Sequence, residues 1–545
     1  MLRQRLRDVP GIPPVKLPSS GVNFVYEGLS RPISDPRTFT GSFTPNKWYR
    51  YALTARFRFG LLGRHGLVYA VGIFLDKIVA FAMLPIYTRF MTPEDYGILH
   101  LVSMTLEIVS IIAGSRLATG IFRFYHKAEG EDARSRVLGT ALVLMTGLYF
   151  LAGGAVWIFA EPISNLVFET PDRAGFIIVG GLGFAFSSLL VVPISHLQLI
   201  QRSTTFVGIN AAKLGIQVGL NIALVVFLSM GAMGVLVSNL VANMVIGTMV
   251  VWMMLRLVGL RFSRSAVRDL LRFGIPMIGT QIAGFILTAG DKFFIQHEDG
   301  TEAVGIYGLA YQFGFLLTAV GYLPFQTAWD PVRFEVSNRD DRDEVYSRVF
   351  VYFNLLLMTV ALGIAVYVKD VLVIMADPAF HSAATLVPII LIAYALYSWT
   401  KFLDLGILVS EKTEYVTLAN SVGAVVALVG YALLIPRYLG FGAAWATVVA
   451  FLVRLVLIHV ISQRLWPVVY SWPPVWKIIG YASIAYVLSL AITTESVLLS
   501  LVSRTALIGV YALVVWFGGV LSDDDRTMLK RLVRSPKAAM ASLAE

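Results

Sequence analysis

The sequence predicts an all-α polytopic membrane protein of about 14 transmembrane helices, in two pseudo-symmetric six-helix lobes followed by two extra C-terminal helices. Three observations predict it. The 545 residues are 57% apolar and only 14% charged, against roughly 45–50% and 25% in soluble domains. Apolar runs of about 18 residues or more, each long enough to cross a bilayer, recur along the chain. A short pattern also repeats. An apolar run ends at Arg89 and an acidic turn, Pro93-Glu94-Asp95-Tyr96, that leads into Gly97-Ile98 and Leu101; a second run from Ile275 ends near Glu298, Asp299 and Glu302, then Gly305-Ile306 and Leu309. Gly97 and Gly305 are 208 positions apart, and so are Gly234 and Gly442 in two later hairpins. A duplicated membrane bundle is the usual architecture of secondary transporters, with the substrate site at the repeat interface.

Taken in order, the spans fall near 67–90, 94–119, 136–159, 174–198, 204–228, 233–255, 274–296, 302–324, 346–368, 383–404, 414–435, 440–462, 474–493 and 498–520. The loops between them alternate in charge. The second holds Arg123, Lys127, Arg134 and Arg136, the sixth Arg256, Arg261, Arg264, Arg268 and Arg272, and the eighth Arg333, Arg339, Arg342 and Arg348. Odd loops carry at most one basic residue each (Arg89, Arg173, Lys292, Lys369, Arg437), and several are acidic, as with Glu161, Glu169 and Asp172. Lys and Arg are retained on the cytoplasmic side. The alternation therefore puts both termini in the cytoplasm, and it would break if one span were missed. The longest internal loop is expected at about 325–345.

This layout divides the chain into a basic cytoplasmic tail (1–66), an N-terminal lobe (67–255), an Arg-rich cytoplasmic linker (256–273) suited to an amphipathic helix on the inner leaflet, a C-terminal lobe (274–462), two additional spans (463–520) and a cytoplasmic tail (521–545). The first apolar run comes too late and is too long for a cleaved signal. The tail is expected to be irregular, with Arg3, Arg5 and Arg7 either idle or touching anionic lipid.

Composition also excludes several chemistries. The absence of cysteine removes disulfides, cysteine nucleophiles and thiolate metal sites. Seven scattered histidines show no ligand spacing, so no metal and no cofactor is expected. The net charge of +10 sits in loops between spans, which speaks for a membrane rather than a nucleic-acid partner.

Three stretches resemble the polysaccharide (O-antigen/exopolysaccharide) flippase branch of the multidrug/oligosaccharidyl-lipid/polysaccharide (MOP) exporter superfamily. One is Leu84-Pro85-Ile86-Tyr87-Thr88-Arg89-Phe90 with Pro93-Glu94-Asp95-Tyr96-Gly97. The next is Phe273-Gly274-Ile275-Pro276, then Asp291-Lys292 and Gly305-Ile306-Tyr307-Gly308-Leu309-Ala310-Tyr311. The third runs from Leu434-Ile435-Pro436-Arg437 through Gly442 to Thr447. The order and spacing of these pieces, more than any one of them, carry the likeness. The resemblance implies two lobes facing each other across a cavity lined by spans one, two, seven and eight. It implies alternating access and transport of polyprenyl-diphosphate-linked oligosaccharide across a bacterial inner membrane, with no enzymatic step. Its implied partners are the lipid-linked glycan, membrane lipids, a polysaccharide polymerase and glycosyltransferases. The long N-terminal tail departs from the family pattern. A cation-coupled drug antiporter of the same superfamily, a membrane-embedded glycan polymerase or transferase, and a scaffold for export assembly are the competing readings. Basic residues in the spans favour the anionic glycan over a cationic drug.

Ionisable groups inside a bilayer are costly and are functional candidates by default. Asp76 and Lys77 in span one, Glu107 in span two, and Asp291 and Lys292 in span seven qualify. Lys77 and Lys292 suit a diphosphate; Asp76, Glu107 and Asp291 suit a coupling H⁺ or Na⁺. Each adjacent pair is equally readable as mutual compensation. Asn210, Lys213, Gln217 and Asn221 share one face of span five, as cavity lining or as glue between helices. Tyr394, Tyr397, Lys401 and Asp404 share a face of span ten, as a sugar platform or as interfacial anchors with a Lys401–Asp404 pair. Arg116 and Arg123 share a face at the inner end of span two, where snorkelling is the bland reading, and Arg454 lies deeper in span twelve. Tyr307 and Tyr311 share a face of span eight, as cavity aromatics or core. Pro85, Pro193 and Pro276 can kink spans for a gate or for packing.

Overall fold

In the computed structural model the described residues are 79, 81–114, 117–492, 496–523 and 526–527. The tail 1–66, Asp76, Lys77 and Arg116 lie outside the described residues, as does the chain from 528. Among the described residues all regular structure is helical. Ten helices are long and apolar enough to cross a membrane, and the chain is a multi-pass membrane protein.

Two of the ten hold two crossings each. Met277–Val336 has 60 residues and Glu414–Leu465 has 52. Unbroken, at 1.5 Å per residue, they would run to about 80–90 Å, nearly three bilayer cores. The first breaks at Gly300 (φ 83°) and the second at Leu439 (φ 49°). Beyond Leu439 the helix folds back. The Tyr431 and Thr447 hydroxyls meet at 3.2 Å, and Gly430 and Gly442 have no room for a side chain against Ala446 and the Leu434 carbonyl. These breaks restore spans seven and eight, and eleven and twelve, where the apolar runs put them. With Trp472–Leu490 as span thirteen, spans two to fourteen stand where the layout puts them, and span one is described only at its end, in the helix Leu84–Phe90.

Two sequence expectations are corrected. Span two is not continuous over 94–119. It runs over Pro93–Ile112, breaks at Gly114 (φ 90°) and resumes over Leu117–Lys127. The segment 325–345 is not a loop: Leu323–Val336 is helical and helix resumes at Arg342. The cause is aromatic packing. Trp329 stacks on Phe402 and meets Tyr346 edge-on, and Phe325 packs on Phe353, so this charged stretch has an apolar face to bury. The linker does form an amphipathic helix, Arg264–Gly274, with Leu270 buried and Arg264, Arg268 and Arg272 exposed.

Span fourteen, Val497–Phe517, is tied to span nine, Arg342–Met375, by polar contacts. Arg504 donates to Asp370 at 2.7 Å and to the Val366 carbonyl at 2.8 Å, and Ser500 donates to the same carboxylate at 3.0 Å. Tyr367 meets Thr505 at 2.7 Å on the same seam. A buried ion pair within a span is favourable only when its partner is fixed. The last pair of helices is thereby anchored to the second lobe.

The lobes meet at the acidic end of the bundle, and here the 208-residue repeat becomes geometry. A side chain on Gly97 would strike the Thr301 carbonyl, and one on Gly305 would strike the Pro93 carbonyl. Pro93 and Thr301 are themselves 208 apart, as are His100 and Gly308, which also touch. Each repeat thus offers the same turn of helix to the other, an isologous contact of the kind a two-fold axis generates. Glycine lets the two backbones approach where any Cβ would hold them apart.

The crossing is testable because the chain lacks cysteine. Val304, next to Gly305, is fully buried, so Val304→Cys should label slowly with a bulky maleimide. Adding Gly97→Val should raise the rate by about tenfold or more, equivalent to a shift of about 1.4 kcal/mol toward separated lobes. An unchanged rate would show that this contact does not hold the acidic end shut.

Candidate functional site

The acidic end carries a polar rim around the glycine crossing. Thr92 caps span two in a capping box with Asp95, whose other oxygen accepts from the Ala232 N–H at 3.0 Å. Asp95 is therefore a structural cap within the N-terminal lobe. Glu94 instead holds Arg173, and Arg173 also donates to the Thr301 hydroxyl of the opposite lobe. His297 meets Glu169 at 2.5 Å, and Arg89 and Thr88 donate to the Ile374 and Met375 carbonyls, each at 3.2 Å. Gln312 donates to the Tyr96 hydroxyl at 3.1 Å just beneath.

Below this rim lies a buried charge cluster in the C-terminal lobe. Asp291 is wholly buried and Lys292 is 1% exposed. The Lys292 ammonium lies 3.3 Å from one Asp291 oxygen, and Tyr307 and Tyr311 donate to the other at 2.8 and 2.6 Å. The ammonium also sits 3.8 Å from the Tyr311 ring centre. Tyr307 and Tyr311, four apart on span eight, thus use their shared face to clamp a carboxylate on span seven. The cluster is neutral and its polar atoms are paired, the condition under which buried charge is tolerated.

From Tyr311 a ladder of rings descends toward the basic end. Tyr311 meets Tyr394 at 5.9 Å, and Tyr394 meets Tyr397 at 6.4 Å. Tyr397 faces two cations, the Arg454 guanidinium at 5.5 Å and the Lys401 ammonium at 5.9 Å. Arg454 is 4% exposed and donates to Asn420 at 2.7 Å. The Lys401–Asp404 pairing is not formed: Asp404 lies 3.4 Å from Arg333, which also reaches Asp330 at 3.2 Å. One turn of helix places Lys401 and Asp404 on the same face, but Arg333 arrives from the helical segment that the sequence reading left as a loop. Three cations against two carboxylates leave this end of the seam positive.

Among the described residues, Glu107, Lys213 and Arg123 sit elsewhere. Glu107 lies in the N-terminal lobe, exposed to a cavity there. Lys213 stays half-buried on span five, where Asn210 bonds its own helix and Asn221 donates to the Tyr87 hydroxyl of another span at 2.5 Å. Arg123 stacks on Phe273. Sequence reasoning passed over Arg173, Arg333 and the pair Asn239 and Asn243. A lone base in an acidic loop, and two amides one turn apart inside an apolar span, were the available signals.

The family model described as polysaccharide biosynthesis protein matches residues 86–385. The succinoglycan biosynthesis transport protein ExoT of Rhizobium meliloti is 23% identical over 246 residues, covering 43% of this chain and 46% of that protein, so the match spans less than half of that relative. The Lsg locus putative protein 1 of Haemophilus influenzae is 22% identical over 323 residues, 57% of this chain and 75% of that protein. Among solved structures, the lipid II flippase MurJ in an inward closed conformation superposes with a TM-score of 0.69 at 12% identity, over 84% of this chain and 100% of that one. An inward-facing multidrug resistance MATE family transporter of the MOP superfamily gives 0.57 at 15% identity, over 71% and 95%. These likenesses show a shared fold.

The buried cluster makes a stability prediction. Asp291→Asn leaves Lys292 charged and unpaired, at a cost of about 3–5 kcal/mol, and should lower the thermal midpoint of the purified protein. Adding Lys292→Met should recover most of the loss. A midpoint unmoved by Asp291→Asn would mean that the two charges are not coupled.

Proposed function

The chain belongs to the polysaccharide biosynthesis protein family, and on that premise we propose that it flips a polyprenyl-diphosphate-linked oligosaccharide from the cytoplasmic to the outer leaflet of a bacterial inner membrane. It is a transporter of the MOP type with a glycan-related role. Its two lobes alternate between a state closed at the acidic end and one closed at the basic end. The basic end faces the cytoplasm in this reading, since Lys and Arg are retained there, and so do both termini. A polysaccharide polymerase and glycosyltransferases would act before and after it on the same glycan.

One observation carries the reading: the tyrosine ladder that ends on Arg454, Lys401 and Arg333. A diphosphate needs positive charge with little competing carboxylate, and a guanidinium offers paired donors to phosphate oxygens. Sugar rings stack on tyrosine faces. The likeness in fold to MATE transporters keeps a drug antiporter as the second reading. That reading requires an acidic seam for cationic substrates, and this seam is positive. The transporter reading also leaves no chemical step for the protein, so no group is assigned to catalysis.

In proteoliposomes loaded with a polyprenyl-diphosphate-linked oligosaccharide, Arg454→Gln and Lys401→Gln should each slow flipping by about tenfold or more, the loss expected for a charge-assisted hydrogen bond of about 1.5–3 kcal/mol. In a deletion strain the lipid-linked glycan should accumulate on the cytoplasmic leaflet. Efflux of organic cations that survives both substitutions, with no glycan flipping, would favour the antiporter. Sugar transfer by the purified protein would overturn the non-enzymatic reading.

A further inference from the structure

A cavity of about 280 Å³ lies at the acidic end, between the lobes and apart from the tyrosine seam. The N-terminal lobe supplies Leu166, Val167 and Glu169, from the short helix Ala160–Phe168 and the residue that ends it. Span seven supplies Phe293, Phe294, Gln296 and His297. Gln296 is 7% exposed, and its side-chain oxygen is buried with no partner among the described residues. A buried acceptor left unsatisfied is costly, and one kept beside a cavity points to a ligand that satisfies it. Glu169 reaches the same cavity from a left-handed backbone (φ 61°, ψ 17°), a conformation that glycine or asparagine ordinarily takes at a helix end. The Ser164 hydroxyl fixes this turn by donating to the Thr170 carbonyl at 2.7 Å. So placed, the Glu169 carboxylate accepts from His297 Nδ1 at 2.5 Å across the lobe boundary.

The lining defines the ligand class. Phe293 and Phe294 are held by rings behind them, Phe285 at 6.4 Å and Tyr431 at 5.7 Å. Fixed aromatic faces suit a flat apolar surface. Gln296 carries donors and an acceptor, and His297 and Glu169 each keep one atom that their mutual bond does not use. Paired donors and acceptors at the edge of apolar walls match neighbouring hydroxyls on an apolar ring, the chemistry of a neutral pyranose. An anion is disfavoured by Glu169 and by Glu298 and Asp299, which follow His297 in the sequence. A cation finds the Glu169 carboxylate already engaged by His297. Pockets for drug-sized ligands start at about 300 Å³, so this one takes a single ring.

We propose that this cavity binds one neutral hexopyranose unit, stacked between the phenylalanine rings and the Leu166–Val167 wall and hydrogen-bonded to Gln296, Glu169 and His297. Its walls come from both lobes, so the site is complete only while the acidic end is closed. A ligand that binds one state alone draws the equilibrium toward that state. Within the transporter reading, on which this consequence rests, a sugar of the delivered glycan docks here from the outer side. It holds the gate shut and slows the next cycle.

The test uses the full-length protein in lipid nanodiscs, without sugar-based detergent. It is titrated with the methyl pyranosides of glucose, galactose and mannose, with methyl glucuronide and tetramethylammonium as charged controls. Saturation-transfer NMR should show saturable binding of at least one neutral glycoside. Gln296→Leu should weaken that binding by about fivefold or more, as for a lost neutral hydrogen bond. Leucine replaces an unpaired amide oxygen, so the thermal midpoint should hold or rise, which separates lost binding from misfolding. In the Val304→Cys chain the same glycoside should slow maleimide labelling by about twofold or more, and Gln296→Leu should remove the effect. No saturable glycoside binding, a preference for either charged control, or binding that Gln296→Leu leaves unchanged would overturn the proposal. A lowered midpoint in Gln296→Leu would show that the amide is already satisfied, and binding with unchanged labelling would show that the site does not bridge the lobes; either overturns it too. None of these failures touches the flipping assay on Arg454 and Lys401, so the two readings fall separately.

Discussion

The close approach of two backbones at Gly97 and Gly305 is the contact on which the rest of the structure depends. Polar contacts surround it, among them Arg173 with Glu94 and His297 with Glu169. Exposed ion pairs contribute about 0–1 kcal/mol each, so the rim tunes closure but cannot carry it. Packing of backbone on backbone carries it. Such a contact has few charges to desolvate or rematch when it parts, which suits a gate that must open and close repeatedly. Duplication explains why it exists at all: one turn, copied, meets its own copy.

Span eight joins this gate to the buried charges. Gly305, Gly308 and Gln312 occupy one face and meet the Thr301-equivalent turn, His100 and Tyr96 of the N-terminal lobe. Tyr307 and Tyr311 occupy the neighbouring face and hold Asp291. Parting of the lobes breaks the first set, whereas the second lies within the C-terminal lobe. Ionisable groups this deep are costly, and here they are paired.

Much of this was legible in the sequence because it is written locally. Apolar run lengths gave the spans, and the 208-residue echo gave the lobes. Asp291, Lys292, Tyr307, Tyr311 and Arg454 stood out as ionisable or aromatic residues at helical spacing in apolar surroundings. What stayed hidden depends on three-dimensional neighbours. Spacing offers Asp404 a pairing with Lys401, whereas Arg333 reaches it from 71 positions away. Arg504 and Asp370 are 134 apart, and only their contact distinguishes an anchored pair of helices from a loose appendage. The helix Leu323–Val336 was missed because its charged face masks the aromatic one that packs on Phe353 and Phe402. The glycine of each repeat stands in the sequence only as the residue after an acidic turn, and its role as a contact point needs both copies in space.

The most direct test of the account follows the distance between the two acidic turns while the substrate is present. With spin labels at Glu94→Cys and Glu302→Cys in the cysteine-free chain, double electron–electron resonance should give one short distance without substrate. A second, longer distance should grow in as polyprenyl-diphosphate-linked oligosaccharide is added, and it should vanish when Arg454 and Lys401 are both neutralised. A single short distance that persists while the glycan crosses the membrane would contradict the gate at Gly97 and Gly305.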